Sequence, residues 1–297
     1  MQASRRPGMP PPALQISVLA IALVAACSRP PEPIGPLHRS LEVGRTLEFV
    51  ALGDFGSGDP AEYAVARAIR AWTGSHPVDA LVTTGDNVYE GGQPDRFDEA
   101  WRRPYGWLRE EGIEVLASLG NHDARTAGGL PVMILLGMPG PWYAVRMGPA
   151  ELVVLDGNHP DDDRQRAFLA STLRSSPAAW QVVVVHQPPY SCGQEHGSSD
   201  DVRDLLALEA GEDLVLSGHD HNYQRFAAVG GVTHVVSGGG GEELDPLGEC
   251  PEGTPRPTAA FGDAHHFLYV RASADRLVIR AVRVPGSDVA DRAVLSR

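Results

Sequence analysis

The chain has 297 residues, 42% of them hydrophobic and 21% charged, and its formal net charge is −13 at pH 7. This length suits one large domain or two small ones, and an acidic chain is not expected to bind nucleic acid by electrostatic attraction alone. Every Lys/Arg position is an arginine, which excludes a Walker-type phosphate loop and a Schiff-base lysine, and no Gly-x-Ser-x-Gly motif indicates a serine hydrolase.

Residues 1–26 predict a lipoprotein signal peptide. A pair of arginines precedes an apolar run from Ala13 to Ala26, which is shorter than the ~20 residues that a membrane-spanning helix needs. The run ends in Val-Ala-Ala-Cys and resembles the lipobox of bacterial lipoproteins. The resemblance implies cleavage before Cys27, acylation of its thiol, and export to the periplasm-facing side of a membrane or to the cell surface. Ordinary cleavage that leaves a free cysteine is the alternative.

Residues 27–46 predict a proline-rich linker after the lipidated cysteine. Four prolines lie between positions 30 and 36, and such a stretch is extended and stiff. It suits a spacer between a lipid anchor and a folded domain, so residues 47–297 are predicted to form that domain.

Short apolar runs alternate with amphipathic stretches through the folded domain. Strands are predicted at residues 47–52, 80–84, 113–119, 142–146, 151–155, 181–185, 213–216, 232–237, 266–272 and 277–284. Helices are predicted at residues 61–72, 97–111 and 165–173. Alternating strands and helices, followed by a strand-rich C-terminal part, predict an α/β layered domain.

Five clusters of metal-ligand residue types follow the ends of predicted strands. They are Gly-Asp-Phe-Gly at 53–56, Gly-Asp-Asn-Val-Tyr at 85–89, Gly-Asn-His-Asp at 120–123, Val-Val-Val-His at 183–186 and Gly-His-Asp-His at 218–221. One such cluster is weak evidence, because an aspartate after a strand is most often a turn or helix-cap residue. Five would converge at one sheet edge, where carboxylates and phenols repel each other unless cations lie between them. We therefore predict a metal site without thiolate ligands.

These five blocks closely resemble the signature of calcineurin-like metallophosphoesterases, and within them that of purple acid phosphatases. The blocks GD-x-G, GD-x-x-Y, GN-H-(D/E), V-x-x-H and GH-x-H all occur in order. Many relatives carry Asp-x-His in the first block; this chain lacks that histidine, and Tyr89 stands where the purple subgroup supplies a tyrosinate. The resemblance implies a four-layer α/β/β/α sandwich with a dimetal site at the C-terminal ends of strands.

The resemblance also implies a ligand set for two metal ions. One ion would be bound by Asp54, Tyr89 and His221, the other by Asn121, His186 and His219, with Asp86 bridging both. A tyrosinate is a hard anionic donor and favours Fe(III). By resemblance, the second ion would be Fe(II), Zn(II) or Mn(II).

Two further histidines carry catalytic roles by the same resemblance. His122 and His196 match histidines that contact the phosphate and assist the leaving group. The implied activity is the hydrolysis of phosphate esters by a metal-bound hydroxide, as in an acid phosphatase acting on monoesters. Asp123 is expected to support the Asn121 loop, and Asp156, which lies outside the five blocks, is expected to be structural.

The three cysteines leave one candidate disulfide. If Cys27 carries lipid, Cys192 and Cys250 remain in an oxidising compartment, where a disulfide is expected. If the family resemblance holds, both segments border the substrate pocket, and the bond would fix the position of His196. Two unpaired thiols are the alternative.

Two other functions compete with a phosphomonoesterase. A phosphodiesterase or nucleotide hydrolase could use the same metal site, since the substrate pocket is built from loops that the signature does not include. A surface lipoprotein that binds phosphorylated ligands or metal without turnover is the third reading, and the complete ligand set argues against it. The expected partners are a small-molecule phosphate ester and, through the N-terminal lipid, a membrane; no protein partner is inferred.

Overall fold

The computed structural model describes residues 45–207 and 211–297, and the backbone of residues 37–39. The predictions of a signal peptide and of lipid on Cys27 fall outside the described residues. Within the described part of the chain, no helix has the length and apolar character needed to cross a membrane.

The described residues form fourteen strands in two mixed sheets. In chain order the strands are β1 (Leu37–Arg39), β2 (Leu47–Leu52), β3 (Ala80–Thr83), β4 (Glu114–Ala117), β5 (Tyr143–Met147), β6 (Ala150–Val154), β7 (Trp180–Val184), β8 (Leu214–Ser217), β9 (Tyr223–Val229), β10 (Val232–Ser237), β11 (Ala259–Phe261), β12 (His265–Ala272), β13 (Arg276–Val284) and β14 (Val289–Ser296). The larger sheet has the order β1-β5-β6-β7-β8-β10-β9-β11, and the smaller has the order β14-β13-β12-β2-β3-β4.

The helices cover the outer faces of the sheets. They are α1 (Pro60–Thr73), α2 (Arg103–Tyr105), α3 (Trp107–Glu110), α4 (Asn121–Ala124), α5 (Leu130–Leu136), α6 (Asp163–Ser175) and α7 (Asp200–Ala207), with 3₁₀ turns at Pro94–Arg96 and Ala127–Gly129 and a π-helical turn at Asp98–Arg102. The α1 helix begins with Pro60 at its first position, where the missing N–H costs no hydrogen bond.

The side-chain alternation of the strands separates three apolar layers. In β2, Phe49 and Ala51 point into a core shared by the two sheets, whereas Val50 and Leu52 pack against α1 and its neighbours. In β7, the residues of one face enter the inter-sheet core and those of the other face pack against α6 and α7. Helix, sheet, sheet and helix therefore form four layers, which confirms the predicted α/β/β/α sandwich.

The structure has elements that the apolar pattern did not predict. Residues 37–39, inside the predicted linker, form β1, which pairs in parallel with β5. The strands β9, β11 and β14 were also missed, as were α4, α5 and α7. The helix predicted at 97–111 is broken into a π-helical turn and two short helices, because Pro104 has no N–H to donate.

Candidate metal centre

The predicted ligands follow five strands that end at one edge of the sandwich. Asp54 follows β2, and Asp86 follows β3 in the same sheet, where the N–H of Asp54 donates to Gly85 O at 3.1 Å. His186 follows β7 of the other sheet, and its Nδ1 lies 2.9 Å from Thr84 O. This contact joins the two sheets at the ends of their central strands, where open α/β sheets bind ligands.

Three of these residues have backbone conformations that are rare outside glycine. The φ angles of Asp54, Asp86 and His219 are 59°, 53° and 72°, all in the left-handed region. A non-glycine residue in this region is strained, and the surrounding structure must hold it there. Such strain concentrates at functional sites, and here it falls on three predicted ligands.

The buried half of the cluster is centred on Asp86 and His186. His186 Nε2 lies 3.3 Å from Asp86 Oδ2 and 2.9 Å from Asn121 Oδ1. His219 Nδ1 lies 3.2 Å from the same His186 nitrogen. Asp54 and Asp86 are almost fully buried, and both carboxylates lie within 4.8 Å of His186.

The other half is centred on the phenol of Tyr89. Its oxygen lies 3.1 Å from Asp86 Oδ2 and 3.3 Å from His221 Nε2, and that nitrogen is 3.6 Å from Asp54 Oδ1. Asp86 thus contacts both halves of the cluster. The structure brings all seven predicted ligands together around a small volume.

The hydrogen bonds around this cluster suit bound cations. Nδ1 of His186 faces Thr84 O and Nδ1 of His221 faces Glu243 O, so these nitrogens are the donors. Each Nε2 faces carboxylate, amide or phenol oxygens and would offer its lone pair to a bound metal ion. Burial disfavours the imidazolium form of His186, but the charges of Asp86 and Asp54 raise its pKa to about 9. A metal ion among these lone pairs would provide the positive charge that the carboxylates require.

The phenol of Tyr89 is held protonated by its surroundings. Burial, followed by the charges of Asp54 and Asp86, raises its pKa well above the usual value. A tyrosinate at this position therefore requires a cation of high charge. The donor set fits a dinuclear centre with one hard ion.

The family comparisons agree with this geometry. Residues 47–223 match calcineurin-like phosphoesterase. The chain belongs to the calcineurin-like phosphoesterase family. It is 27% identical to rat (Rattus norvegicus) tartrate-resistant acid phosphatase type 5, covering 93% of this chain and 94% of the relative. It is 26% identical to Arabidopsis thaliana purple acid phosphatase 4, covering 82% of each.

Solved structures show the same fold. A purple acid phosphatase from yellow lupin (Lupinus luteus) seeds superposes with a TM-score of 0.71 at 18% identity, covering 86% of this chain and 55% of that chain. GAP50, the anchor in the inner membrane complex of Plasmodium, superposes with a TM-score of 0.71 at 22% identity, covering 84% and 89%. The chain is therefore a metal-dependent phosphoesterase, and it is similar to purple acid phosphatases, which use dinuclear metal centres.

The two predicted catalytic histidines of this phosphoesterase lie beside the ligand cluster. The N–H of His122 donates to Asp86 Oδ1 at 2.8 Å, and its ring lies 4.3 Å from that of Tyr89. The ring of His196 stacks on that of His219 at 4.1 Å. His122 also contacts the guanidinium of Arg125, whose Nη2 is 3.2 Å from His122 Nε2.

Asp123 supports the ligand loops, as the sequence predicts. It is fully buried and accepts hydrogen bonds from the N–H groups of Asn87, Val88 and Gly120 at 2.9–3.1 Å. It therefore ties the second signature block to the third. Asp156 lies outside the cluster and contacts Asn158, His159 and Gln165 instead, which agrees with its predicted structural role.

The loop that carries His196 is fixed from two sides. Cys192 and Cys250 form a disulfide with their Cα atoms 4.4 Å apart. Asp220, a fully buried carboxylate, accepts from the N–H of His196 at 3.2 Å and from that of Gly197. Asp220 is not among the predicted site residues, although its place between the two histidines of the last block could have indicated it.

The glycines at 238–241 pass directly beneath the ligand loops. A Cβ at Gly238 would lie 2.3 Å from Asp220 O, and one at Gly240 would lie 2.2 Å from Gly53 O. Any other side chain would push the first and last signature blocks apart. Glycine, which has no Cβ, permits this close approach.

Proposed function

We propose that this chain hydrolyses phosphate monoesters at a dinuclear metal centre bound by Asp54, Asp86, Tyr89, Asn121, His186, His219 and His221. The observation that carries the proposal is the convergence of these seven donors on one buried volume. Asp86, in contact with Tyr89, His186 and the backbone of His122, would bridge the two ions. The most similar relatives reported above are acid phosphatases, which supports a monoester substrate.

The first ion would be Fe(III), and the second Fe(II), Zn(II) or Mn(II). The raised pKa of Tyr89 supports a trivalent ion, because only a strong cation would stabilise the tyrosinate in this buried position. When bound, the two ions would neutralise phosphate oxygens and lower the pKa of a coordinated water.

The chain's own residues would position the ester and supply the proton for the leaving group. His122 and Arg125 flank the ligand cluster and would contact the non-bridging phosphate oxygens. His196, whose ring stacks on that of His219, would donate a proton to the leaving alkoxide. Asp220 and the disulfide keep its loop in that position.

Tyr89→Phe tests the assignment of the hard ion. The purified iron-loaded protein should be coloured by charge transfer from the tyrosinate, and the variant should lose the colour while it keeps its fold. Colour that persists in Tyr89→Phe would remove Tyr89 from the ligand set and leave only the broader phosphoesterase assignment.

One assay separates the three functions under consideration. Metal content is measured beside the hydrolysis of p-nitrophenyl phosphate and of bis-p-nitrophenyl phosphate. A phosphomonoesterase should contain two ions and prefer the monoester. Preference for the bis-ester would identify a phosphodiesterase, and two bound ions with neither activity would identify a binding protein.

We also propose that Cys27 carries lipid and anchors the enzyme outside the cytoplasm. The order of arginines, apolar run and Val-Ala-Ala-Cys supports this. Cys27→Ser should move the protein from the membrane fraction to the soluble fraction of the expressing bacterium. A variant that stays with the membrane as the wild-type protein does would refute the anchor.

A further inference from the structure

The cavity over the metal centre has an acidic rim. It has a volume of about 500 Å³, and its floor includes Tyr89, His122, His196 and His221. Its volume is that of a pocket for a small ligand. The remaining lining residues include the five carboxylates of Glu90, Glu195, Glu242, Glu243 and Asp245.

These carboxylates come from three separate segments. Glu90 follows the second signature block, Glu195 precedes His196 in the disulfide-linked loop, and the other three lie in the 242–245 segment. They therefore reach the cavity from different parts of the chain. We define the acidic rim as these five residues. They belong to the cavity of the proposed active site and set its charge.

The four glutamates of the acidic rim have no described ion pair, whereas Asp245 pairs with His221, whose Nδ1 lies 3.8 Å from Asp245 Oδ2. Among the described residues that line the cavity there is no arginine, and the described ion pairs include none between an arginine and a glutamate of the acidic rim. Arg125 does not line the cavity; its Nη1 donates to Glu90 O and its Nη2 contacts His122, so one positive charge lies beside the five carboxylates. Asp245 accepts from the N–H of His221 at 3.0 Å.

An ester in this cavity is therefore exposed to a positive potential from the metal ions and a negative potential from the acidic rim. The phosphoryl group is drawn to the metal ions, while the rest of the molecule passes the acidic rim. Charges inside a cavity of this volume lie within the Debye length of ~8 Å at physiological salt, so salt does not cancel the interaction. A second phosphate on the leaving group would be repelled, and an ammonium or guanidinium group would be attracted.

We propose that the acidic rim selects phosphate monoesters whose alcohol carries a positive charge. The proposal rests on the proposed function and specifies its substrate class. The shared chemistry is a dianionic phosphoryl group with a cation a few bonds away, in a small amino alcohol or in a peptide with arginine beside a phosphoserine. Nucleoside diphosphates and triphosphates are disfavoured as substrates.

A pair of nearly isosteric esters tests whether the acidic rim favours a positively charged alcohol. Phosphocholine and 3,3-dimethylbutyl phosphate differ in that a quaternary carbon replaces the charged nitrogen. We expect kcat/KM to be about tenfold higher for phosphocholine, and this ratio should fall as salt is raised. A ratio of one or below, in an enzyme that hydrolyses both esters, would overturn the inference without affecting the proposed function. Failure to hydrolyse either ester or p-nitrophenyl phosphate would reject the proposed function itself.

Neutral variants assign the selectivity to the acidic rim. Glu195→Gln and Glu243→Gln remove one charge each from exposed side chains. Each should lower the ratio of kcat/KM for phosphocholine to kcat/KM for 3,3-dimethylbutyl phosphate about twofold to threefold. Glu110→Gln, on the exposed surface of α3 and outside the cavity lining, is the matched control and should leave the ratio unchanged. An unchanged ratio in the double variant Glu195→Gln/Glu243→Gln would contradict the assignment.

A second substrate pair distinguishes the two sources of the cation. Phosphoserine peptides flanked by arginine or by alanine are compared at equal concentration. Faster hydrolysis of the arginine-flanked peptide supports selection for a positively charged alcohol and shows that peptides are among the substrates. A preference in the small-ester pair alone restricts this selection to amino alcohols, and equal rates within both pairs overturn it.

Discussion

Asp86 is the residue on which both metal positions depend. Its carboxylate contacts the phenol of Tyr89 on one side and His186 on the other, and it is almost fully buried. Burial disfavours the charged form, but the imidazoles of His186 and His122 lower the pKa of Asp86 below its usual range. The residue is therefore an ionised carboxylate at neutral pH, as a bridging ligand must be.

Asp86→Asn should be the most damaging single change in the ligand set. An amide replaces the bridging charge, so both ions should bind weakly and nearly all activity should be lost. The measurement is metal content by mass spectrometry beside p-nitrophenyl phosphate turnover. Asp161→Asn, an exposed aspartate outside the cluster, is the control. Full metal occupancy in Asp86→Asn would disprove the bridging role.

Replacement of His196 should lower turnover without changing metal binding. His196→Ala should keep both ions and lower the turnover of ethyl phosphate by about 100-fold, because general acid catalysis matters most for a poor leaving group. The loss for p-nitrophenyl phosphate should be less than about tenfold, since nitrophenolate leaves without a proton. Equal losses for the two esters would show that His196 does not protonate the leaving group.

At the scale of the elements, the loops near the active site depend on a crosslink between two distant segments. The Cys192–Cys250 disulfide joins positions 58 residues apart, and Gly248 N–H donates to Cys192 O at 2.7 Å beside it. The second segment continues from the acidic rim at 242–245. The bond therefore holds both the His196 loop and one side of the cavity.

Reduction of this disulfide should lower activity before the domain unfolds. Loss of a crosslink of this kind costs about 2–4 kcal/mol, which a domain of this size can tolerate. Turnover and circular dichroism are measured together during titration with a reductant, and Cys192→Ser/Cys250→Ser is the matched variant. Activity that falls only when the structure unfolds would limit the bond to stability.

The apolar pattern predicted the central elements and missed the peripheral ones. Buried strands such as β2 and β7 contain apolar runs, at residues 49–52 and 182–184, so their positions could be predicted directly from the sequence. In the edge strand β14, partly buried residues alternate with exposed ones. In β9, the side chain of Gln224 accepts a hydrogen bond from the N–H of Cys192 in the His196 loop. Their strand character comes from pairing with neighbours, which a local pattern does not reveal.

At the scale of the whole molecule, one buried carboxyl group should couple stability to pH. Glu62 in α1 is fully buried, and one of its oxygens accepts from Gly58 N–H at 2.6 Å. Burial raises its pKa to about 9 from the usual value of 4.5. The folded state thus keeps a proton that the unfolded chain releases, and its stability falls as pH rises between these two values.

Glu62→Gln should remove this dependence on pH. Relative to the wild-type protein, the variant should gain up to about 1.4 kcal/mol of unfolding free energy per pH unit between pH 5 and 9. The measurement is urea unfolding of both proteins across that range. The two proteins should have the same slope below pH 4. If the unfolding free energies of the two proteins change in parallel with pH over the whole range, Glu62 ionises normally.

The apolar pattern alone predicted the site only where ligands follow strand ends, whereas Tyr89, His122 and His196 were predicted from the family resemblance. Asp54, Asp86 and His186 each come directly after an apolar run, so the common edge of the sandwich was predictable. The acidic rim was not, because the 242–245 segment and Glu195 reach the cavity through a disulfide-linked pair of loops. Their approach depends on tertiary contacts such as the Gly193–Leu247 bridge, which no local pattern indicates.

Anomalous X-ray diffraction from crystals of the iron-loaded protein tests directly whether two metal ions are bound on either side of Asp86. Data collected on either side of the iron absorption edge locate the ions without reference to activity. We expect two peaks about 3.5–4 Å apart, both within bonding distance of Asp86, with Tyr89 bound to one of them. A single peak, or peaks away from Asp86 and His186, would contradict it.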